Sequence, residues 1–305
     1  MKKSKQKQAY FHVIFALLLS IFLTSCEEKS KLETKAEISK NTIVDEDVKK
    51  YWYNGLAEIT SYELTQQRYG EERKGKAVLI YVTEDFDAQE LVKADQKKEG
   101  NFPVLKLNST KDFTTGIYPY HIIQSSFLPM QANEKIAKVS ASIQEWCGQS
   151  YMQIEQRDEL EVSIHSYFQK IGNTNFNIKS ELTENGIWNK LRLFPRKIQT
   201  GELQMIPSLE YLRLFNIPVE AYQANVSQEK ITSQMVTKIE YVDLKRALTI
   251  TQDAQFPYSI ESWEETWTKQ DSSYTTKATK IKQIRIDYWN KNQNKHHFLR
   301  DTLQL

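Results

Sequence analysis

The chain has 305 residues, with 41 lysines and arginines against 39 aspartates and glutamates, and a formal charge of +2. A near-neutral chain with mixed charges lacks the basic face that nucleic acid requires, so we expect no nucleic-acid partner. The length is sufficient for one large β domain or two smaller domains that bury a core.

The first 25 residues have the layout of a secretory signal peptide. Lysines cluster in residues 2–7, and the apolar run FHVIFALLLSIFL follows over residues 11–23. This run is shorter than the roughly 20 apolar residues that a transmembrane helix needs, so it predicts a cleaved export signal. Removing residues 1–25 leaves 37 basic and 39 acidic residues, a formal charge of −2.

A cysteine directly follows this segment. The tetrapeptide Leu23-Thr24-Ser25-Cys26 resembles the lipobox of bacterial lipoproteins, which implies cleavage before Cys26 and acylation of its sulfur. A thiolate is the best side-chain nucleophile for accepting a lipid, and two or three acyl chains give stable anchoring. We therefore expect Cys26 to be the lipid attachment site and the protein to be anchored in the cell outer membrane. The alternative is an ordinary secretory peptide with an incidental cysteine.

Residues 26–48 are predicted to be a lipidated tether. The stretch EEKSKLETKAEISKNTIVDEDV is rich in Glu, Lys, Ser and Thr, so it cannot bury enough apolar surface to offset its ordering entropy. The acids directly after Cys26 resemble the surface-export signals of Bacteroidetes-type lipoproteins. Residues 49–305 are then the globular body, as one domain or two closely packed halves.

Apolar and polar residues alternate through much of the body, which predicts antiparallel strands with one buried face. AKVSASI (137–143) follows this pattern, whereas AVLIYV (77–82) is apolar at every position and predicts a strand covered on both sides. Further strands are predicted over 56–69, 103–108, 117–127, 150–157, 160–164, 235–242, 246–251, 260–268 and 284–288.

Three other segments carry different patterns. RYGEERKGK (68–76) predicts a hairpin connection with Gly70 and Gly75 at positive φ. SELTENGIWNKLRLF (180–194) has helical spacing, and SLEYLRLFN (208–216) fits either a helix or a strand. Ten or more closely spaced strands predict a mainly β fold, an antiparallel barrel or sandwich with one or two short helices.

The sequence contains no C-x-x-C, H-E-x-x-H, G-x-S-x-G, P-loop or G-x-G-x-x-G motif. Cys147 in SIQEWCGQS is the best nucleophile candidate, with His121 or His165 as its base, and Gly148 would let a substrate approach the backbone. The alternative is a small buried hydrophobic side chain beside Trp146 at the end of a strand.

Other polar residues give weaker signals. His296 and His297 are adjacent, and adjacent residues on a strand point to opposite faces, so we expect no metal site. The neighbouring acids Glu84 and Asp85, and Asp243, follow predicted strands and could pair in a cleft as glycosidases require. No cofactor is expected.

The aromatic residues allow two interpretations. The run 51–53, together with Tyr118 and Tyr120, forms either a stacking platform for sugars or part of a half-buried core. Trp263 and Trp267 share one face of a strand, where they could line a barrel cavity that holds a hydrophobic ligand.

Four strings carry a family resemblance: WYNGLAEITSYEL (52–64), VTEDF (82–86), GIYPYH (116–121) and SIQEWCGQ (142–149). They resemble uncharacterised lipoproteins of Bacteroidetes-type bacteria that are often labelled "septum formation inhibitor Maf". The S-x-S-x-R-R-type loop of the Maf nucleotide pyrophosphatases is absent here. The resemblance therefore implies localisation in the cell envelope and a shared globular body, and it supplies no catalytic residue.

These patterns together predict an outer-membrane lipoprotein whose β-rich body binds its ligand without transforming it. The expected ligand is a lipid-like or glycan component of the envelope, or a partner protein. Two alternatives stay open: an assembly or structural lipoprotein without a small ligand, and an envelope enzyme with Cys147 as nucleophile.

Overall fold

A computed structural model describes residues 46–131, 135–180 and 182–305. The signal peptide, the Cys26 anchor and the tether up to residue 45 lie outside the described residues. Val44–Leu305 is a compact unit with a core of its own, so we expect this segment to fold by itself. No helix among the described residues is both long enough and apolar enough to span a membrane.

In the described ranges fourteen antiparallel strands form a single sheet, which confirms the predicted mainly β class. The strands are β1 (Ala57–Arg68), β2 (Glu71–Phe86), β3 (Phe102–Thr115), β4 (Tyr118–Pro129), β5 (Lys138–Glu145), β6 (Gly148–Gln156), β7 (Leu160–Ser166), β8 (Thr174–Ile178), β9 (Gly201–Met205), β10 (Tyr222–Ile231), β11 (Gln234–Tyr241), β12 (Arg246–Asp253), β13 (Ile260–Lys269) and β14 (Ser272–Ile286).

The sheet consists of two meanders, β1–β8 and β9–β14, in which every strand pairs with its neighbours in sequence. The first and last strands, β1 and β14, join the meanders at the centre of the sheet. Because neighbouring strands alternate in direction, the connections fall alternately at two ends of the sheet. One end, which we call the rim, carries the turns at residues 69–70, 116–117, 146–147, 167–173, 242–245 and 270–271.

Four α-helices accompany the sheet in the described residues, more than the predicted one or two. They are α1 (Glu46–Trp52), α2 (Glu184–Leu193), α3 (Leu209–Phe215) and α4 (Phe298–Leu303). The helix predicted within 180–194 is α2, whose N-cap Thr183 accepts a hydrogen bond from the Gly186 backbone. The undecided segment 208–216 is a helix, because Ser208 caps its start and Asn216 ends it in the left-handed conformation.

Helices α2 and α3 lie against one face of the sheet and contribute to the main core. Leu191 of α2 and Leu209 and Leu212 of α3 are fully buried there. Helix α1 also belongs to this core through Val48 and Trp52, so residues 46–48 at the end of the predicted tether are helical. The core therefore unites both meanders around two internal helices.

The double cover predicted for residues 77–82 is present. Ala77 and Leu79 face the main core, while Val78 and Val82 face outward and pack in a second cluster with Leu303 of α4. The alternation predicted for 137–143 is also present in β5, where Val139, Ala141 and Ile143 are buried.

The predicted hairpin connection 68–76 is too long. Only Tyr69 and Gly70 form the turn, and both have positive φ, 58° and 81°. Gly75 instead lies within β2, where a Cβ atom would come within 2.3 Å of the Asp112 carbonyl oxygen of β3. Gly75 thus permits close strand approach and provides no turn conformation.

Candidate ligand-binding site

The face of the sheet that carries α2 and α3 is packed with the side chains of the main core. A cavity in this core has a volume of about 40 Å³ and is lined mostly by polar and charged side chains, which leaves room for only a few water molecules. Trp263 reaches this cavity and packs edge-on against Trp188 of α2 at 5.3 Å. Trp263 is therefore a core residue, whereas Trp267, which is 8% exposed, lines a separate recess of about 530 Å³ at the rim together with Phe215 and Tyr274.

A cluster of buried charges surrounds this cavity. Arg246 of β12 donates to both carboxylate oxygens of Glu184, at 2.5 and 2.8 Å, and its Nε donates to Glu265 of β13 at 2.6 Å. Burial alone would lower the pKa of Arg246, but the charges of Glu184 and Glu265 raise it well above its ordinary value. These bonds fix the first turn of α2 to the second meander.

Lys111 and Glu210 complete the cluster with an ion pair of 2.8 Å, and Gln124 donates to the second Glu210 oxygen at 3.0 Å. The cluster thus holds three carboxylates and two cations. Burial raises the pKa of Glu210, although the positive charge of Lys111 opposes this.

A second buried pair lies near α1. Arg192 of α2 donates to both oxygens of Glu58 at 2.6 and 2.7 Å, and both side chains are 1% exposed. The Tyr51 hydroxyl donates to the same carboxylate at 2.5 Å. Burial alone would raise the pKa of Glu58, but the charge and hydrogen bonds of Arg192 lower it below its ordinary value.

The best candidate binding site lies on the opposite face of the sheet, away from α2 and α3. The outward face of β1, β2 and β14 is apolar towards the end opposite the rim, and the C-terminal segment that contains α4 packs against it. A groove of about 690 Å³ lies between this face and the C-terminal segment, and we call it the outer groove. Its apolar lining includes Ile59, Val78, Ile80, Ile284, Ile286 and Leu303.

A β-bulge creates the apolar outer face. The pairing of β1 with β14 shifts between Ser61 and Tyr62, which leaves Ile281 as the extra residue of β14. Ala278, before the bulge, therefore faces the core, while Ile284 and Ile286, of the same parity, face outward against the second cluster. An extra residue reverses which face every later side chain occupies.

The charged lining of the outer groove is mostly basic. Lys76, Lys291 and Arg300 are accompanied by His296 and by one acid, Asp112. Lys76 pairs with Glu63 at 2.7 Å and Lys291 with Asp287 at 2.9 Å. Arg300 has no carboxylate partner in the part of the chain that the structure describes. Its positive charge is therefore available to a ligand.

Cys147 lies in the turn between β5 and β6 and is exposed, so the expected buried hydrophobic role is wrong. Its backbone N–H donates to the Glu145 carboxylate at 2.8 Å. A hydrogen bond to Glu145, together with the Glu145 charge, raises the pKa of the thiol. No described hydrogen bond joins Cys147 to His121 or His165, so the predicted pair with a base is not assembled.

We expect Glu145→Gln to increase the alkylation rate of Cys147 near neutral pH, because it removes the charge that disfavours the thiolate. The wild-type rate should rise with pH through a midpoint above that of free cysteine. Iodoacetamide labelling across a pH series, followed by mass spectrometry, measures both rates. Equal pH profiles for the two proteins would contradict the role of Glu145.

The remaining sequence candidates lie apart from one another. His121 pairs with Asp112 at 2.6 Å on the surface, and the Tyr167 ring occupies the space beside Gly148 that a substrate would need. Glu84 forms ion pairs with Lys93 and Lys106. Within the described ranges no group of three His, Cys, Asp or Glu side chains could hold a metal ion.

The predicted aromatic platform is divided. Trp52 is buried in the core, Tyr51 binds Glu58, and Tyr53 is exposed. Tyr120 stacks on Phe113 at 5.0 Å at the rim, where Tyr118 lies beside it. Residues 51–53 precede β1 at the end of the sheet opposite the rim, whereas Tyr118 and Tyr120 lie at the rim. The two groups therefore form no common surface.

No family model and no curated protein matches this chain. Among solved structures, the chain is similar to a crystal structure of a beta-barrel-like protein of a domain of unknown function, DUF1849, from Brucella abortus. The two share 10% sequence identity, and the match covers 75% of this chain and 97% of that chain with a TM-score of 0.45.

Proposed function

We propose that this protein is a non-catalytic binding protein of the cell envelope, anchored in the outer membrane through lipidated Cys26. Its body binds a lipid-like molecule with an anionic head group in the outer groove. The observation that carries this proposal is an apolar groove of about 690 Å³ lined by three cations and one acid.

The size and chemistry of the outer groove fit an acyl chain. Small-molecule sites commonly have volumes of about 300–1,000 Å³ and a mainly apolar lining. Ile80, Ile284 and Ile286 are only half-buried, although the outer face of an antiparallel sheet is ordinarily polar. An alkyl chain that covers them would contribute about 0.8 kcal/mol for each buried CH₂ group.

The charges favour an anionic head group. Lys76 and Lys291 already have carboxylate partners, whereas the Arg300 guanidinium presents free donors. A guanidinium binds a carboxylate or a phosphate through two parallel hydrogen bonds. A glycan fits this groove less well. Sugars favour stacking on several aromatic rings, and Tyr288 is the one aromatic residue among the described residues that line the groove.

The body purified from its own envelope tests the ligand class. We expect native mass spectrometry of residues 44–305 to show a retained amphiphile with a carboxylate or phosphate group. A retained glycan would overturn the ligand class. A bare protein that copurifies with another protein would support an assembly role instead.

Charge reversal at Arg300 tests the site. We expect Arg300→Glu to weaken binding of a fluorescent fatty acid by about tenfold, since a charge-assisted hydrogen bond is lost and a repulsion is added. Lys295→Glu is the matched control, because Lys295 is exposed and lies outside the groove lining. Equal affinities of the two variants, with unchanged thermal unfolding, would exclude the outer groove as the site.

Lipid attachment at Cys26 can be tested separately. We expect Cys26→Ser to prevent incorporation of labelled palmitate and to lower the fraction of the protein that only detergent releases from membranes. Cys147→Ser is the control and should leave both readouts unchanged. Membrane association of the Cys26→Ser protein with full palmitate incorporation would contradict anchoring at Cys26.

A further inference from the structure

The five most exposed large hydrophobic side chains of the described residues all lie at the rim. Each of these side chains occupies a different turn, and the turns come from separate parts of the chain. Their exposed fractions are Ile117 82%, Tyr167 76%, Val242 72%, Trp146 69% and Tyr69 60%. Scattered exposed hydrophobic residues are ordinary, but a concentration at one end marks an interaction surface.

Contacts between the turns hold part of this surface in place. The Tyr69 hydroxyl is 2.7 Å from that of Tyr120, and the ring of Tyr118 lies 6.4 Å from that of Trp146. Arg68 lies over the Tyr69 ring and donates to the Leu214 carbonyl at the end of α3. The exposed rings are therefore presented by a fixed framework.

The charged residues at the rim are of both signs, so they favour neither an anionic nor a cationic partner. Basic residues such as Lys170, Lys245 and Lys269 are mixed with acids such as Glu145 and Asp271. Attraction to this surface must therefore come mainly from the apolar and aromatic side chains. Tyrosine and tryptophan with an adjacent aliphatic residue are the side chains that favour the boundary between lipid head groups and acyl chains.

We propose that the rim is a membrane-contact surface that inserts its turn residues shallowly into a lipid bilayer. Side chains on separate projecting turns do not form the close-packed, continuous core of a protein interface, whereas a fluid bilayer accepts spaced anchors. This contact is independent of the Cys26 anchor and of the outer groove.

Residues 44–305, which lack the anchor, provide the test with vesicles of phosphatidylcholine. We expect flotation with the vesicles at both low and high salt, because the contact is not electrostatic. The variant Ile117→Ser/Trp146→Ser/Tyr167→Ser should bind at least about tenfold more weakly, since each replaced side chain loses apolar burial. These three side chains are exposed, so the variant should fold normally, as circular dichroism would verify.

A matched control changes three exposed hydrophobic residues at the opposite end, Tyr53→Ser/Val92→Ser/Ile231→Ser, and should bind like the wild type. Absence of vesicle binding, or equal loss in both variants, would overturn the proposal. So would self-association without vesicles that the rim variant abolishes, since that result assigns the surface to a second copy. Fatty-acid binding of the rim variant should persist, which separates this test from that of the outer groove.

Discussion

Replacing Arg246 with methionine is expected to lower the free energy of unfolding by about 3–5 kcal/mol, the cost of removing one partner from a buried ion pair. Glu184 loses its counter-charge and Glu265 keeps only that of Lys111, since Arg246 holds each carboxylate at 2.8 Å or less. Urea unfolding of residues 44–305 near neutral pH measures the change. The loss should be large because the interior offers too little space for water to solvate the two carboxylates.

Two further variants give this prediction its contrast. Lys277→Met removes an exposed pair with Glu264 and should cost less than about 1 kcal/mol. Arg246→Met/Glu184→Gln/Glu265→Gln removes all three charges and should recover part of the loss. If Arg246→Met costs no more than Lys277→Met, the buried cluster does not hold α2 against the second meander.

Glu58→Gln is expected to cost about 3–5 kcal/mol near neutral pH, because it leaves Arg192 buried without a counter-charge. The loss should shrink on acidification. Arg192 lowers the pKa of Glu58 in the folded protein below its ordinary value of 4.5. The stability that Glu58 contributes is therefore fully present above that ordinary value and disappears as the pH falls through the lower, folded-state pKa.

Unfolding of the wild type and of Glu58→Gln over a pH series tests this expectation. The two free energies should converge at acidic pH, where the wild-type carboxyl group is also neutral. Glu63→Gln is a suitable control, since Glu63 belongs to an exposed pair with Lys76. A gap between wild type and Glu58→Gln that stays constant with pH would show that the lost contribution is packing and not charge.

The sequence predicted the strands well where one face is polar. The alternation in β5 and the apolar run in β2 correspond to one-sided and two-sided burial, because side-chain period alone decides which face is covered. The strands β8, β9 and β10, and most of β14, were not predicted. Their burial patterns are weak: β8 contains no fully buried residue, so its pairing with β7 gives little signal in a single sequence.

The outer groove could not be predicted, because its apolar face depends on one extra residue. IRIDY (284–288) predicts Ile284 and Ile286 on the core face, but the bulge at Ile281 turns them outward. Bulges depend on the pairing partner and have no local signature here. Arg300 gives no signal either, since its role depends on where the C-terminal segment crosses the sheet.

The buried charge cluster was also invisible in the sequence. Glu184 and Glu210 each stand in the first turn of a helix, where an acid ordinarily faces water and interacts with the helix dipole. Arg246, Lys111 and Glu265 look like the polar positions of half-buried strands. Only the packing of both helices against one face of the sheet brings these residues together, and that depends on the whole topology.

The central pairing of β1 with β14 has a consequence for how the chain folds. Most strands pair with a neighbour across a short turn, but Ser61 and Lys282 at this seam are 221 residues apart. Local hairpins close quickly, whereas distant pairing must first overcome the loss of chain entropy. We therefore expect the middle of the sheet to form last, after synthesis of β14, and β1 to present until then an unpaired edge that favours aggregation.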